Sequence, residues 1–470
     1  MVTARKLFGT DGVRGVTNLE PMTAETAVRL GRALAYLCGR NSPGRQRIVI
    51  GRDTRWSGDM LEAALAAGVC SAGLDAALVG ILPTPAIAFL TRSTGAGAGA
   101  VISASHNPFQ DNGIKFFTPG GFKLPDEVEE EIEGLVLSGN ACSAQPTGDD
   151  IGRVSSIEDA ASRYKESLKA CLSGHSPLAG LKIVVDCAHG AAYRVGPELL
   201  RELGATVVAM GVRPDGTNIN SRCGAVHPEG LQQAVRAEKA QLGIALDGDA
   251  DRAIFVDETG MVVDGDEVLA MVAAEMLQRG TLKHATVVAT IMSNIGLDMA
   301  LRERGAQLVR VQVGDRYVVE EMLRGGYNLG GEQSGHLVFF DRSTTGDGLV
   351  TALALATMML ERGRPLSELK RVMTKFPKVL LNVLVARRAE LDSLTKVRQM
   401  IDRVRAELGD RGRVVVRYSG TEPLARVMVE GEDLSRVQTN AEDIAAAIRA
   451  ELGDGSRQRL PGSGAGRGEL

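Results

Sequence analysis

Three stretches of the chain repeat one order of apolar and polar positions. Each opens with a short apolar, β-rich run, crosses a polar loop and a helix-like segment, then reaches a Gly before a second β-rich run. The first opens at Ile48-Val49-Ile50, passes Gly51-Arg52-Asp53 and ends over Leu74 to Gly80. The second opens at Ile183-Val184-Val185-Asp186, passes Ala188-His189-Gly190 and ends over Gly204 to Met210. The third opens at Thr286-Val287-Val288-Ala289, passes Ser293-Asn294 and ends over Gly305 to Val311. Strand–helix–strand alternation of this kind predicts parallel strand pairs with helices on the sheet faces. The second and third stretches also share a Glu-x-Gly-Ala element, at Glu202 to Ala205 and Glu303 to Ala306. Three related α/β domains with mixed sheets are therefore expected, against the alternative that any α/β protein gives such echoes.

After Phe376 the pattern changes. Val379 to Ala386 reads as a strand, Arg387 to Leu408 as an amphipathic helix, Val414 to Arg417 and Arg426 to Val429 as strands, and Ser435 to Leu452 as a helix. This predicts a smaller C-terminal α+β domain. From Asp454 to Leu470 the chain is rich in Gly, Ser and Arg with little to bury, which predicts a disordered tail.

The length, 470 residues, suits two to four domains of about 100–200 residues each. Apolar residues at 44% and charged residues at 24% match an ordinary globular balance. Aromatics are only 4%, so stacking on bases is not a theme, and a net charge of −4 gives no basic excess for a polyanion. Nucleic acid is excluded as the expected partner. The six cysteines, Cys38, Cys70, Cys142, Cys171, Cys187 and Cys223, are scattered, with no metal spacing, and read as reduced thiols of a cytoplasmic protein. No apolar run is long enough to cross a membrane, and Met1 to Thr10 has no apolar signal region.

The chemistry is written in five loops. In Leu246-Asp247-Gly248-Asp249-Ala250-Asp251-Arg252, three carboxylates alternate after a strand-like run. Alternation lets all three turn toward one hard cation, which prefers oxygen ligands, and without a cation they would repel. A calcium EF-hand is the rival, since Asp247, Asp249, Asp251 and Glu258 fall at its first, third, fifth and twelfth places. Its sixth place requires Gly and here holds Arg252, so a magnesium site is the better reading. Ser103-Ala104-Ser105-His106-Asn107-Pro108 offers a serine nucleophile after an apolar run, with Ser103 as the alternative to Ser105. No G-x-S-x-G elbow surrounds either serine. Arg417-Tyr418-Ser419-Gly420-Thr421-Glu422-Pro423, with Arg426 beyond, suits phosphate binding through Arg and backbone amides; a capping box of Ser419 with Glu422 is the alternative. Gly330-Gly331-Glu332-Gln333-Ser334-Gly335-His336 packs hydrogen-bonding groups suited to sugar hydroxyls. Phe8-Gly9-Thr10-Asp11-Gly12-Val13-Arg14-Gly15 indicates a constrained loop near a ligand and is no dinucleotide fingerprint.

Together, in this order, the five loops resemble the α-D-phosphohexomutase family from Phe8 to about Glu430. Within it the chain is most similar to the bacterial branch acting on glucosamine phosphate, through its Phe-Gly-Thr-Asp-Gly-Val-Arg-Gly start and its Gly-Glu-Gln-Ser-Gly-His loop. Branches acting on mannose or glucose phosphates, the alternative, usually differ where Gln333 stands. The resemblance implies four domains around a central cleft: 1–153 with a phosphoserine loop, 154–257 with a metal loop, 258–372 with a sugar loop and 373–453 for phosphate binding, before the tail at 454–470. It implies Ser105 as the phosphoserine and, with Asp247, Asp249 and Asp251, as a ligand of one Mg²⁺. It implies Glu332 and Ser334 as sugar contacts, and Arg417, Ser419, Gly420, Thr421 and Arg426 as phosphate contacts. Lys115, Arg252 and His336 would help move protons, and Arg14 would lie near the phosphoserine. Tyr418 departs from the family, where Lys or Pro is more familiar, and so does Ala225-Val226 before His227.

The implied reaction passes a phosphoryl group from Ser105 to a sugar 6-phosphate, turns the resulting 1,6-bisphosphate around, and recovers the group from its other end. A hexose 1,6-bisphosphate would activate the enzyme. The expected partner is a small phosphosugar, with neither nucleic acid nor membrane, and a homodimer is admitted. The product would supply UDP-N-acetylglucosamine synthesis for peptidoglycan.

Overall fold

The structure, a computed structural model, describes residues 7–9, 11–41, 46–139, 146–172, 177–418 and 424–453. The tail expected from Asp454 onward lies outside the described residues. The chain divides into two compact units, one of Met1–Met292 with Leu301–Val372, the other of Ser293–Ala300 with Met373–Leu470.

The first unit holds three mixed sheets built to one plan. In the first, strand Arg47–Arg52 lies between parallel neighbours Asp75–Ile81 and Ala98–Ile102, and Asp111–Phe117 runs antiparallel beside the latter. In the second, Lys182–Asp186 lies between Thr206–Met210 and Leu242–Leu246, with Ala253–Asp257 antiparallel beyond. In the third, Thr286–Thr290 lies between Gln307–Val311 and Leu329–Gly331, with Leu337–Phe339 antiparallel beyond. The repeated apolar pattern thus corresponds to a repeated topology. Strands Ala98–Ile102, Leu242–Leu246 and Thr286–Thr290 are buried at every residue, as unbroken apolar runs require when both sheet faces are covered.

The Gly-rich start, expected as a loop, is largely strand. Phe8–Gly9 pairs with Gly12–Val16, which pairs antiparallel with Asp111–Phe117. Gly12 is required here: it has φ +77° and lies against the backbone of Ile114 and Lys115, leaving no room for a side chain.

In the second unit, Leu424–Glu430 lies between Lys378–Leu384 and Arg413–Tyr418, all antiparallel. Helices Thr395–Leu408 and Leu434–Leu452 cover an apolar core that includes Val397, Val404, Val427, Val429, Ile444 and Ile448. The helix expected from Arg387 starts only at Thr395. The Tyr418 hydroxyl explains the delay: it donates to Ala389 O at 2.7 Å and accepts from Ala389 N at 3.3 Å, holding that segment out of a helix.

Candidate active site

Each sheet of the first unit delivers one chemically loaded loop from the same place, the connection between its third strand and the antiparallel fourth. Ser105 sits between Ile102 and Asp111, the Asp247–Asp251 cluster between Leu246 and Ala253, and Glu332–His336 between Gly331 and Leu337. Contacts join the first two loops directly. Ser105 is 1% exposed and adopts φ 50°, a strained conformation for a residue with a side chain. Its Oγ donates to Asp247 Oδ2 at 2.6 Å and lies 3.4 Å from His106 Nδ1. Ser103, the alternative nucleophile, is buried with its hydroxyl donating to Asp53 Oδ2 at 2.6 Å and accepting the Ser105 amide at 2.9 Å.

Asp247, Asp249 and Asp251 are all buried, with one oxygen from each lying within 4.8 Å of the others. Burial, with repulsion from Asp249 and Asp251, pushes the Asp247 carboxyl well above its ordinary range. Asp249 Oδ2 accepts from Thr84 Oγ1 at 2.7 Å and Lys115 Nζ at 3.0 Å, while Asp249 Oδ1 and Asp251 Oδ1 are buried with no hydrogen-bond donor among the described residues. Buried carboxylates with orphaned oxygens fit a divalent cation with oxygen ligands. The EF-hand alternative fails on geometry: the flanks are strands, and Glu258 turns to Ser367, accepting from its amide at 3.3 Å and its hydroxyl.

Around this cluster the charges alternate in a closed ring. Lys115 Nζ lies 3.0 Å from both Asp249 and Asp11; Lys123 bridges Asp11 and Asp315; His336 lies 3.3 Å from Asp315 and 3.5 Å from Asp251. Burial opposes the charge on Lys115, but Asp11, Asp249 and Asp251 outweigh it and raise its pKa. Burial would likewise raise Asp11, yet Lys115, Lys123 and Arg14 hold it well below the usual carboxylate range. Arg14 pairs with Asp11. Arg252 Nη1 lies 3.0 Å from His106 Nδ1, and burial together with Arg252 and Arg14 lowers His106 to about 4, keeping that ring neutral.

His336 has two partners competing for Nε2. Gly346 N donates to it at 3.1 Å, which suits a neutral ring protonated at Nδ1, while Asp315 Oδ2 faces the same nitrogen and suits an imidazolium. Burial lowers its pKa, but Asp251 and Asp315 prevail and raise it. The site therefore supports both states of the ring. Gly346 also sets its position, since a methyl group there would lie 2.5 and 2.6 Å from His336 ring carbons. Gly346→Ala is expected to displace the ring and lower kcat about 10²-fold, because a group moved by about 1 Å loses that much. Steady-state kinetics beside a thermal melt checks this, and an unchanged kcat in a folded variant would remove His336 from the chemistry.

In the Glu332–His336 loop, Glu332 Oε1 accepts from Gly314 N at 3.2 Å and Oε2 from Ser334 Oγ at 3.3 Å. Ala225 donates to Leu246 O at 3.0 Å and Val226 is 45% exposed, so this family departure lies beside the metal loop's base without replacing a ligand. In the second unit, Arg417 and Arg426 face each other across paired strands, and burial and Arg426 lower the Arg417 pKa. Like charges directly opposed are unfavourable alone and suit an anion between them. Tyr418 points to the other face, against Ala389 and beneath Arg388, so it leaves the arginine face intact. Ser419, Gly420 and Thr421 lie outside the described residues.

Sequence reading missed Asp53, Arg55, Thr84, Asn220, Lys123 and Asp315. Only Arg52-Asp53-Thr54-Arg55, a dense charged loop after a strand, carried a usable local signal.

Models of the four phosphoglucomutase/phosphomannomutase domains match in chain order: α/β/α domain I over residues 5–141, domain II over 162–260, domain III over 264–376 and the C-terminal domain over 380–447. A phosphoglucosamine mutase of Syntrophotalea carbinolica is 56% identical over 449 residues, covering 96% of this chain and 98% of its own. One from Myxococcus xanthus is also 56% identical with the same coverage. A solved phosphoglucomutase/phosphomannomutase family protein from Burkholderia thailandensis superposes with a TM-score of 0.76 at 25% identity, covering 94% of this chain and 97% of its own. Four domain matches in order, relatives this similar over nearly the full length, and three loops meeting at a serine and a carboxylate cluster give one answer: the chain belongs to the α-D-phosphohexomutase family and is a mutase of the isomerase class.

Proposed function

We propose that this enzyme interconverts glucosamine 6-phosphate and glucosamine 1-phosphate in the cytoplasm, through phosphorylated Ser105 and a glucosamine 1,6-bisphosphate intermediate. The observation that carries the chemistry is Ser105 Oγ, buried, on a strained turn, 2.6 Å from Asp247 in the carboxylate cluster. The substrate assignment is supported by full-length relatives named phosphoglucosamine mutase.

Phosphoryl transfer needs positioning and charge neutralisation more than covalent help. Asp247, Asp249 and Asp251, with the serine phosphate, would hold one Mg²⁺, which offsets charge on the phosphoryl oxygens. Lys115 acts as a cation rather than a base, held by Asp11 and Asp249 at 3.0 Å. His336 moves the proton of the sugar hydroxyl, assisted by Arg252, which faces the same Asp251 carboxylate. Arg14 lies toward the phosphoserine, and Glu332 and Ser334 accept sugar hydroxyls in either orientation of the intermediate. Arg417 and Arg426, with Ser419, Gly420 and Thr421, bind the phosphate that does not react. A hexose 1,6-bisphosphate loads Ser105 and activates the enzyme.

The test compares kcat/KM for glucosamine, glucose and mannose 6-phosphates with Mg²⁺ and a trace of glucose 1,6-bisphosphate. A preference for the amino sugar of at least about tenfold, worth about 1.4 kcal/mol, is expected. Preference for glucose or mannose phosphate would keep the mechanism and overturn the substrate.

A further inference from the structure

The Ser105 turn is gripped from behind by a buried ion pair, Arg55 with Asp53. Arg55 is fully buried, and its fork is surrounded by backbone carbonyls. Nη2 donates to Ser105 O and Asn107 O at 2.9 Å each, and Nη1 donates to Asp111 O at 3.0 Å and to Pro108 O. Its Nε donates to Asp53 Oδ2 at 2.9 Å. Asp53 completes the grip through Ser103, whose hydroxyl donates to Asp53 at 2.6 Å and accepts the Ser105 amide at 2.9 Å. Both the N–H and the C=O of Ser105 therefore lead back to one ion pair. Asn220 Nδ2 reinforces it from the second sheet's side, donating to Ser105 O at 2.8 Å and Asn107 O at 3.1 Å.

We propose that Arg55, acting with Asp53 and Ser103, is a positioning residue for phosphoryl transfer: it clamps the Ser105 peptide in its left-handed conformation and so fixes Oγ against the carboxylate cluster through both half-reactions. The proposal rests on Ser105 carrying the phosphoryl group. A planar fork is needed because five donors in one plane serve four carbonyls and a carboxylate at once, which a lysine ammonium cannot do. The fixed turn matters because the same serine phosphate must meet first one end of the sugar and then the other in line. A turn free to relax to negative φ would move Oγ between those two events.

The experiment uses full-length wild type, Arg55→Lys and Ser103→Ala with Mg²⁺ and glucose 1,6-bisphosphate carrying labelled phosphate. It reads the single-turnover rate of label arriving on Ser105, the KM for the hexose 6-phosphate, the bisphosphate released per turnover, and the melting midpoint. Arg55→Lys is expected to slow transfer about 10²-fold, the loss typical of a reacting group displaced by about 1 Å, with KM little changed and more bisphosphate escaping. Ser103→Ala, which removes the amide's acceptor and the donor to Asp53 Oδ2, is expected to slow transfer about tenfold while still folding, in keeping with the loss of two hydrogen bonds. Guanidinium added to Arg55→Ala is expected to restore transfer, and ammonium is not. Wild-type transfer rates in both Arg55→Lys and Ser103→Ala overturn the proposal, as does a loss that follows the melting midpoint alone without guanidinium rescue. If wild type takes no label on Ser105, the phosphoserine reading fails and the clamp falls with it.

Discussion

Ser105→Ala is expected to lower mutase turnover by at least about 10⁴-fold, since loss of a covalent nucleophile removes the step every turnover depends on. The substitution is small and the site is rigid. Ser105 contributes its amide to Ser103 and its carbonyl to Arg55, and both bonds survive in alanine. Only the hydroxyl bonded to Asp247 is lost. The fold and the three carboxylates of the cation site should therefore remain while the phosphoryl carrier, and the ligand its phosphate would supply, disappear. Conversion of hexose 6-phosphate followed by phosphorus NMR, with intact-mass measurement of the phosphoprotein, checks both parts. Activity within about tenfold of wild type, against a transfer step worth several powers of ten, would exclude Ser105 as the carrier. Ser103→Ala provides the comparison: its hydroxyl serves Asp53 and the Ser105 amide and not the carboxylate cluster, so it should show only the clamp's loss of about tenfold.

Removal of divalent cation is expected to be nearly as severe. Three buried carboxylates within 4.8 Å repel one another, and two of their oxygens have no donor among the described residues. A metal supplying several kcal/mol of charge stabilisation corresponds to a loss of at least about 10³-fold on chelation. Returning Mg²⁺ should restore activity. It should also raise the melting midpoint, because a ligand at 100 times its Kd stabilises the folded state by about 2.7 kcal/mol. Asp249→Asn keeps an acceptor for Thr84 and Lys115 and changes the orphaned oxygen's side. It should lose both the activity and the thermal response to Mg²⁺. Full activity in excess chelator would refute the metal site.

The parts of this site that were legible in the amino-acid order are those whose residues are neighbours in the chain. Asp247, Asp249 and Asp251 announce a cation because alternation along five positions already implies convergence. Glu332 to His336 is equally compact. The clamp's contacts were hidden for the opposite reason. Arg55 meets Ser105 across 50 positions, Asn220 meets it across 115, and Lys123 meets Asp315 across 192. The charged loop Arg52-Asp53-Thr54-Arg55 stands out in the chain, but its arginines look like solvated charges until folding surrounds Arg55 with carbonyls. The repeat was visible in its first strand, helix and second strand, where apolar runs are long. The strands flanking the functional loops were visible in part, as the apolar run before Ser105 and the strand-like runs on either side of Asp247 to Asp251, but not as members of the repeat. The Gly-rich start was misread as a loop because small residues there serve close strand approach, as Gly12 does against Ile114. The helix from Arg387 was overextended because one distant hydroxyl, that of Tyr418, competes for Ala389.

The placement of Ser105, the carboxylate cluster and the Glu332–His336 loop at one address in three successive sheets bears on how such an enzyme changes over time. Each loop is tethered at both ends by its own strand ladder, so editing one leaves the anchorage of the others in place. The grip on Ser105 lies in residues 53, 55 and 103, none of which belongs to the sugar-reading hairpin. On the proposed roles, rewriting Glu332, Gln333 or Ser334 is expected to alter which sugar is accepted without rebuilding phosphoryl transfer. Descent with altered diet, one hairpin at a time, is the evolutionary freedom this architecture confers.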